Sequence, residues 1–247
     1  MSPIYLGVDI GGTTSSVCAA DEQGRLLGEF TLPSGKGEKG WEGTVQRLIG
    51  HAGELVEPGA APRAVGISCG SPMDRKAGVI QEPANLPGWQ DVPIVNIWQE
   101  AFPGAAVHLE NDANAGALAE YYLGAGRRPR PANMAFLTFG TGLGAGLILN
   151  GQLYRGASNY AGEIGHIRLE KDGPVGCGKF GSWEGFCSGG GIEQLALAGR
   201  QGWPGETCLG KERITAADVG HGALEGDERC LEILSGSGSY LGRGLAI

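Results

Sequence analysis

Asp9-Ile10-Gly11-Gly12-Thr13-Thr14 is the stretch that decides the fold. An apolar run, Ile4 to Val8, leads into it, and a second, Val17 to Ala20, follows, so the six residues read as a tight strand–turn–strand hairpin. Glycines at Gly11 and Gly12 let backbone N–H groups come close to phosphate oxygens, and Thr13 adds a hydroxyl donor. Asp9, near the strand end, can organise a hydrated magnesium ion through water. A plain tight hairpin would satisfy the same residues, so the phosphate reading depends on the rest of the chain.

The pattern restarts in the second half. Met134 to Phe139 reads as a strand, Gly140-Thr141-Gly142-Leu143-Gly144-Ala145-Gly146 as a glycine turn, and Leu147 to Leu149 as a second strand. Asn150-Gly151 then signals a hairpin into Gln152 to Tyr154. The glycine stretch formally satisfies G-x-G-x-x-A, but that dinucleotide fingerprint has to open a helix. Here it opens a strand and a hairpin, so two strand-bounded phosphate loops, suited to a nucleoside triphosphate, are the better reading. Between the two halves lies Gly124 to Ala132, rich in proline and arginine, which marks a domain boundary: 1–123 and 124–247.

Working outward, Asp21 to Gly24 turns the chain into a strand over Leu26 to Leu32. A Gly- and Lys-rich loop, Pro33 to Gly43, precedes a helix over Thr44 to Val56, with Val45, Leu48, Ile49 and Leu55 near helical spacing. Strands are expected at Ala64 to Ser68 and Val107 to Glu110, and helices at Val95 to Phe102 and Asn114 to Leu123. The last third is mainly helical. Ser188 caps a helix through Ile192 to Ala198, Thr215 to Asp218 forms a capping box, and Leu234, Leu241 and Leu245 share a helix face.

Composition narrows the function classes. Glycine (47) and proline (13) make up just under a quarter of the 247 residues, while the hydrophobic fraction of 41% is enough for a core. The glycines are therefore turn positions rather than a sign of low complexity. A net charge of -8 argues against a nucleic-acid surface. The one basic cluster, Arg127, Arg128 and Arg130, reads as a solvated loop. Neither a bilayer-spanning run nor a secretory signal is visible, so a cytoplasmic protein without a membrane partner is expected. The six cysteines never form C-x-x-C and read as reduced, mostly buried thiols.

Glu110-Asn111-Asp112-Ala113-Asn114 joins a buried strand to a helix. Helix N-terminal N–H groups favour a carboxylate at Asp112. A carboxylate so placed can accept the proton of a substrate hydroxyl as it attacks a γ-phosphate. An ordinary helix cap explains the same residues, and is the commoner case.

Five motifs now stand in order: D-I-G-G-T, G-I-S-C-G-S-P-M-D (Gly66 to Asp74), E-N-D-A-N, G-T-G-L-G-A-G and E-I-G-H (Glu163 to His166). Together they resemble the ROK family of sugar kinases and sugar-responsive repressors. The resemblance implies two actin-like (ribonuclease H-like) α/β domains around a central cleft, with ATP and Mg2+ on one side and a sugar on the other. Domain closure would exclude water. Residue by residue, it makes Asp112 the catalytic base. Ser71, Asn85, Asn111, Asp112, Glu163, His166 and Glu184 become sugar-binding groups. Asp9, Gly11, Gly12, Thr13, Gly140, Thr141, Gly142 and Gly144 become nucleotide-binding ones. The implied activity is phosphorylation of a hexose of the glucokinase type, at the 6-hydroxyl. The alternatives are an N-acetylhexosamine kinase and a non-catalytic sugar sensor; a heat-shock-type ATPase is disfavoured by the clustered polar residues on the sugar side.

Two departures from the family matter. Its zinc motif, C-x-C-G-x-x-G-C-x-E, corresponds to Val175 through Glu184, where Val175 and Ser182 replace two cysteines. A tetrahedral site needs four N or S ligands, so no zinc site is expected; Cys187 is a remote substitute, and Trp183 and Phe180 are expected to pack and order the loop. Relatives also continue past the position of Ile247 through a Gly-Gly adenosine-binding segment. The chain is therefore expected to be a fragment with an open sheet edge that holds ATP weakly; association through the uncovered surface, as a homodimer, is compatible with this. With eight residues ahead of Asp9, a repressor's DNA-binding head is not expected.

Overall fold

The computed structural model describes residues 3–34, 40–57, 60–198, 207–210 and 213–247; part of the Gly- and Lys-rich loop, at 35–39, lies outside them. Contacts divide the chain into two compact units, Met1–Ala115 and Gly116–Ile247.

The first unit opens with β1 (Tyr5–Ile10), β2 (Thr14–Ala20) and β3 (Leu26–Pro33), followed by α1 (Gly40–Glu54) and β4 (Ala64–Cys69). A short hairpin, β5 (Met73–Asp74) and β6 (Val79–Ile80), precedes α2 (Ile94–Ala101), β7 (Ala106–Asn111) and α3 (Asp112–Tyr122). The five main strands form one sheet in the order β3-β2-β1-β4-β7. β1, β2 and β3 are antiparallel neighbours, whereas β4 and β7 run parallel to β1. This is the ribonuclease H-like arrangement that the motifs implied.

Alternation builds the sheet. Leu6, Val8 and Ile10 of β1 and Val65, Ile67 and Cys69 of β4 are buried, and Thr44, Val45, Leu48 and Ala52 form the buried stripe of α1. Trp98, fully buried, and the half-buried Phe102 extend the same core. β1 runs two residues further than the apolar run indicated, so Asp9 is a strand residue. Likewise α3 begins at Asp112 and not at Asn114.

In the second unit β8 (Met134–Phe139), β9 (Leu143–Leu149) and β10 (Gln152–Tyr154) form an antiparallel sheet with β9 in the middle. The glycine turn is shorter than expected. Gly144 and Gly146 are strand residues, paired with Thr138 and Phe136, because the buried side chains of Leu143 and Ala145 draw this segment into the sheet. A 3-10 turn, Ile164–His166, and the hairpin β11 (Val175–Gly176) and β12 (Lys179–Phe180) lead to α4 (Trp183–Cys187) and α5 (Gly189–Ala198). A second 3-10 turn, Cys208–Gly210, precedes α6 (Ala216–Leu224) and α7 (Glu228–Leu245).

Caps account for the helix starts. Ser182 Oγ accepts the Gly185 N–H at 3.1 Å, and Ser188 Oγ accepts the Gly191 N–H at 3.0 Å, so α5 starts three residues before Ile192. Thr215 and Asp218 form the expected reciprocal box. Trp183 is buried, with Gly244 leaving room for its ring, and Phe186 stacks on Tyr240 at 3.6 Å. Phe180, expected to pack, is 62% exposed; the short β11–β12 hairpin presents it to solvent, and Phe186 fills the core instead. Among the described residues no helix is long and apolar enough to cross a membrane.

Candidate active site

In the first unit the parallel strands β1, β4 and β7 put their C-terminal ends side by side, the edge at which open α/β sheets bind ligands. The register aligns Asp9 with Ser68 and Ser68 with Glu110. Ser68 Oγ donates to Asp9 Oδ1 at 2.6 Å, fixing that carboxylate. The turn beyond it is closed by Gly11 N–H donating to the Thr14 carbonyl. Gly12 lies so near the Asn85 backbone that a Cβ there would come within 2.5 Å of its carbonyl oxygen. Asn85 also borders Gly70, and Asn111 Nδ2 donates to Ser71 Oγ at 3.3 Å. Ser71, Asn85, Asn111 and the D-I-G-G-T turn are thus linked through direct neighbours.

The two readings of E-N-D-A-N separate here. Asn111 is the cap: its Oδ1 accepts the Asn114 N–H at 3.1 Å. Asp112, the first helical residue, is exposed, and its Oδ1 accepts the Ala113 N–H at 2.8 Å. Among the described residues no hydrogen bond reaches its Oδ2. Glu110 Oε1 accepts from Asn114 Nδ2 and from Asn111 N–H, bracing the strand-to-helix corner. Burial, followed by the Asp112 and Asp9 carboxylates, pushes the Cys69 thiol up to about 12. Both carboxylates therefore act on the same sheet end.

The second unit assembles its group around Glu184. Glu184 Oε2 accepts the Leu143 N–H at 2.9 Å, while Oε1 accepts the Cys177 N–H at 2.7 Å and the Cys177 thiol at 3.2 Å. Burial, then this bond to Glu184, pushes the Cys177 thiol up to about 12. A Cβ at Gly142, Gly165 or Gly176 would come within 2.6, 3.2 or 2.8 Å of the Glu184 side chain. Gly140 and Thr141 carbonyls accept the Gly189 and Gly190 N–H groups, which seats the start of α5 on the glycine turn. Glu163 and His166 are exposed, with His166 Nε2 3.7 Å from Glu163 Oε2. Gly144, expected at the phosphates, lies in β9.

Several contributors lie inside the motifs with roles the motifs did not announce. Ser68 of G-I-S-C-G-S-P-M-D and Glu110 of E-N-D-A-N sit in strands, and only the parallel register brings Ser68 to Asp9. Asn114 was visible in E-N-D-A-N, but as a cap rather than a brace. Asp9, with one oxygen held by Ser68, suits a water-mediated magnesium contact. The family's zinc does not fit the donor set: Ser182 is a helix cap, Cys177 is bonded to Glu184, and Cys187 Sγ donates to the Ser237 carbonyl at 3.4 Å.

A ribonuclease H-like sheet with a carboxylate at its parallel edge, and a second strand-bounded glycine turn, define an actin-like α/β protein. The chain belongs to the ROK family, whose model matches residues 5–247. It is 32% identical over 257 residues to the glucokinase of Halalkalibacterium halodurans, an alignment covering 98% of this chain and 75% of that protein. The solved ROK hexokinase of Thermus thermophilus superposes with a TM-score of 0.80 at 33% identity, over 98% of this chain and 76% of that one. A Streptomyces griseus ROK glucokinase, solved with glucose and AMPPNP, gives 0.79 at 31%, over 98% and 78%. Repressors match too: the Caldicellulosiruptor bescii xylose repressor is 31% identical over 74% of this chain, but over only 46% of its own length. The glucokinase and hexokinase likenesses place this chain with the sugar kinases of the family.

Proposed function

We propose that this chain transfers the γ-phosphoryl group of ATP to a hexose, at the hydroxyl of carbon 6. The observation that carries the reading is Asp112. Its neighbour Asn111 caps the helix, leaving Asp112 exposed with, among the described residues, one carboxylate oxygen unengaged, at the sheet end that also holds Asp9 and the Gly11–Gly12 turn. Asp112 takes the proton of the attacking hydroxyl. Ser71, Asn85, Asn111, Glu163 and His166 orient the sugar through hydroxyl hydrogen bonds. Glu184 spends three acceptor positions on Leu143 and Cys177 and keeps one, on Oε2, for a sugar hydroxyl. N–H groups at Gly11, Gly12, Thr13, Gly140, Thr141 and Gly142 hold phosphate oxygens. Asp9 would hold a magnesium ion through water, and that ion would supply neutralisation of phosphate charge. The reading divides the chain into actin-like domains 1–123 and 124–247, in a cytoplasmic enzyme that binds neither nucleic acid nor membrane.

A thermal-shift panel of glucose, mannose and N-acetylated hexoses, with and without a non-hydrolysable ATP analogue, tests it alongside ADP release. One sugar class is expected to raise the midpoint and to elicit ADP release. The repressor relatives favour a second reading, a sugar sensor, and a midpoint shift with no ADP release in any condition would select it.

The Lys171–Glu184 loop is ordered in this reading by the Glu184 bonds and the buried Trp183, without metal. Cys177→Ser keeps a donor for Glu184, so zinc content by elemental analysis is expected to equal that of the parent. Loss of zinc in that variant would overturn the metal-free loop.

A further inference from the structure

Cys208, Asp227 and Cys230 meet in the second unit, away from every residue given a role above. Cys208 opens a 3-10 turn, Asp227 caps α7, and Cys230 lies three residues into that helix. The sulfurs are 3.7 Å apart, and a carboxylate oxygen of Asp227 completes a set of ligand atoms all within 4.8 Å of one another. Two metal–sulfur bonds of ~2.3 Å at a tetrahedral angle put their sulfurs ~3.8 Å apart. From this geometry we infer that the three residues form a binding site for a thiophilic divalent cation, zinc in the first instance.

Two observations support the assignment. First, the ligands are positioned by backbone. Asp227 Oδ2 accepts the Cys208 N–H at 2.7 Å and Oδ1 accepts the Cys230 N–H at 3.0 Å, so one carboxylate sets both cysteine main chains. Second, Gly222 of α6 forms the floor: a Cβ there would lie 2.5 Å from Cys208 Sγ and 2.6 Å from Cys230 Sγ. The sulfurs are thus pressed together against backbone.

Two thiolates with one carboxylate select a borderline-soft ion over magnesium or calcium. Cys208 is exposed, which leaves water as the fourth ligand. The site clips the Cys208 turn to α7 across 22 residues of sequence.

The test uses the full chain, fully reduced, stripped of metal, with all six thiols confirmed by thiol titration. Cobalt(II) is added to one equivalent, then zinc(II). The expected result is a thiolate-to-cobalt absorption that saturates at one equivalent, is abolished by zinc, and is lost in Cys208→Ser. Cys177→Ser and Cys187→Ser retain it. Zinc raises the melting midpoint of the parent but not of Cys208→Ser. Because Cys208 is exposed, that variant is expected to melt near the metal-free parent even if Cys230→Ser does not fold. No absorption in the reduced chain would overturn the inference, leaving the pair as a thiol contact or an oxidisable dithiol. An absorption kept in Cys208→Ser but lost in Cys177→Ser would overturn it equally.

Discussion

Asp112→Asn is expected to lower sugar-dependent ADP release by ~100–10,000-fold, the usual contribution of a general base, while sugar affinity falls only modestly. The amide keeps the shape of the side chain and can still accept the Ala113 N–H, the one hydrogen bond the carboxylate makes through Oδ1. What it loses is the ability to take a proton. Helix α3 is not put at risk, because its cap is Asn111 and its corner is braced by Glu110 and Asn114. The melting midpoint should therefore stay within a degree or two of the parent, on the order of the effect of a surface substitution. Turnover and sugar-induced midpoint shift are measured on the same preparation. Parent-like turnover in purified Asp112→Asn removes the residue from the mechanism.

Glu184→Ala is expected to give the largest stability loss among the site residues. Two backbone N–H groups, on Leu143 and Cys177, donate to one charged acceptor. Leaving each without a partner costs ~1–3 kcal/mol, so a total of ~2–6 kcal/mol and a fall in midpoint on the order of 10 °C are expected. The same change discriminates between roles. A group that only touched sugar would lose affinity at an unchanged midpoint, whereas one that also holds the glycine turn loses both. A chemical denaturation series on parent, Glu184→Ala and Glu184→Gln measures it. An unchanged midpoint in the alanine variant would reduce Glu184 to a ligand contact.

The legible part of this chain is local. Gly11–Gly12 between two apolar runs, Asn150-Gly151 before Gln152, and Thr215 three residues from Asp218 all announce their geometry within a few residues. The five motifs, in their order, carried the family and with it the fold. What stayed hidden depends on register or on contacts distant in sequence. Ser68 reaches Asp9 only because β4 lies parallel to β1 in one alignment. The start of β9 shifted because burial of Leu143 and Ala145 outweighed the turn preference of the glycines around them. Phe180 read as core by its hydrophobicity, yet a two-residue strand in a hairpin cannot bury both faces. No spacing rule connects Cys208 to Cys230 either, since they are brought together by the Cys208 turn and α7 both packing on α6 and not by a repeat.

The glycines pressed around Glu184 bear on how such a chain changes over generations. A Cβ at Gly142 would meet the Glu184 carboxylate, one at Gly176 its stem, and one at Gly165 the neighbouring Leu143 carbonyl, while truncation of Glu184 leaves the donors on Leu143 and Cys177 without that partner. A first substitution in this group is therefore expected to be penalised unless a second change within it relieves the contact. Neutral drift is thereby channelled to the exposed positions, Glu163 and His166 among them. If Glu163 and His166 touch sugar as proposed, altered sugar preference should arise there, by single steps, while the braced turn stays as it is.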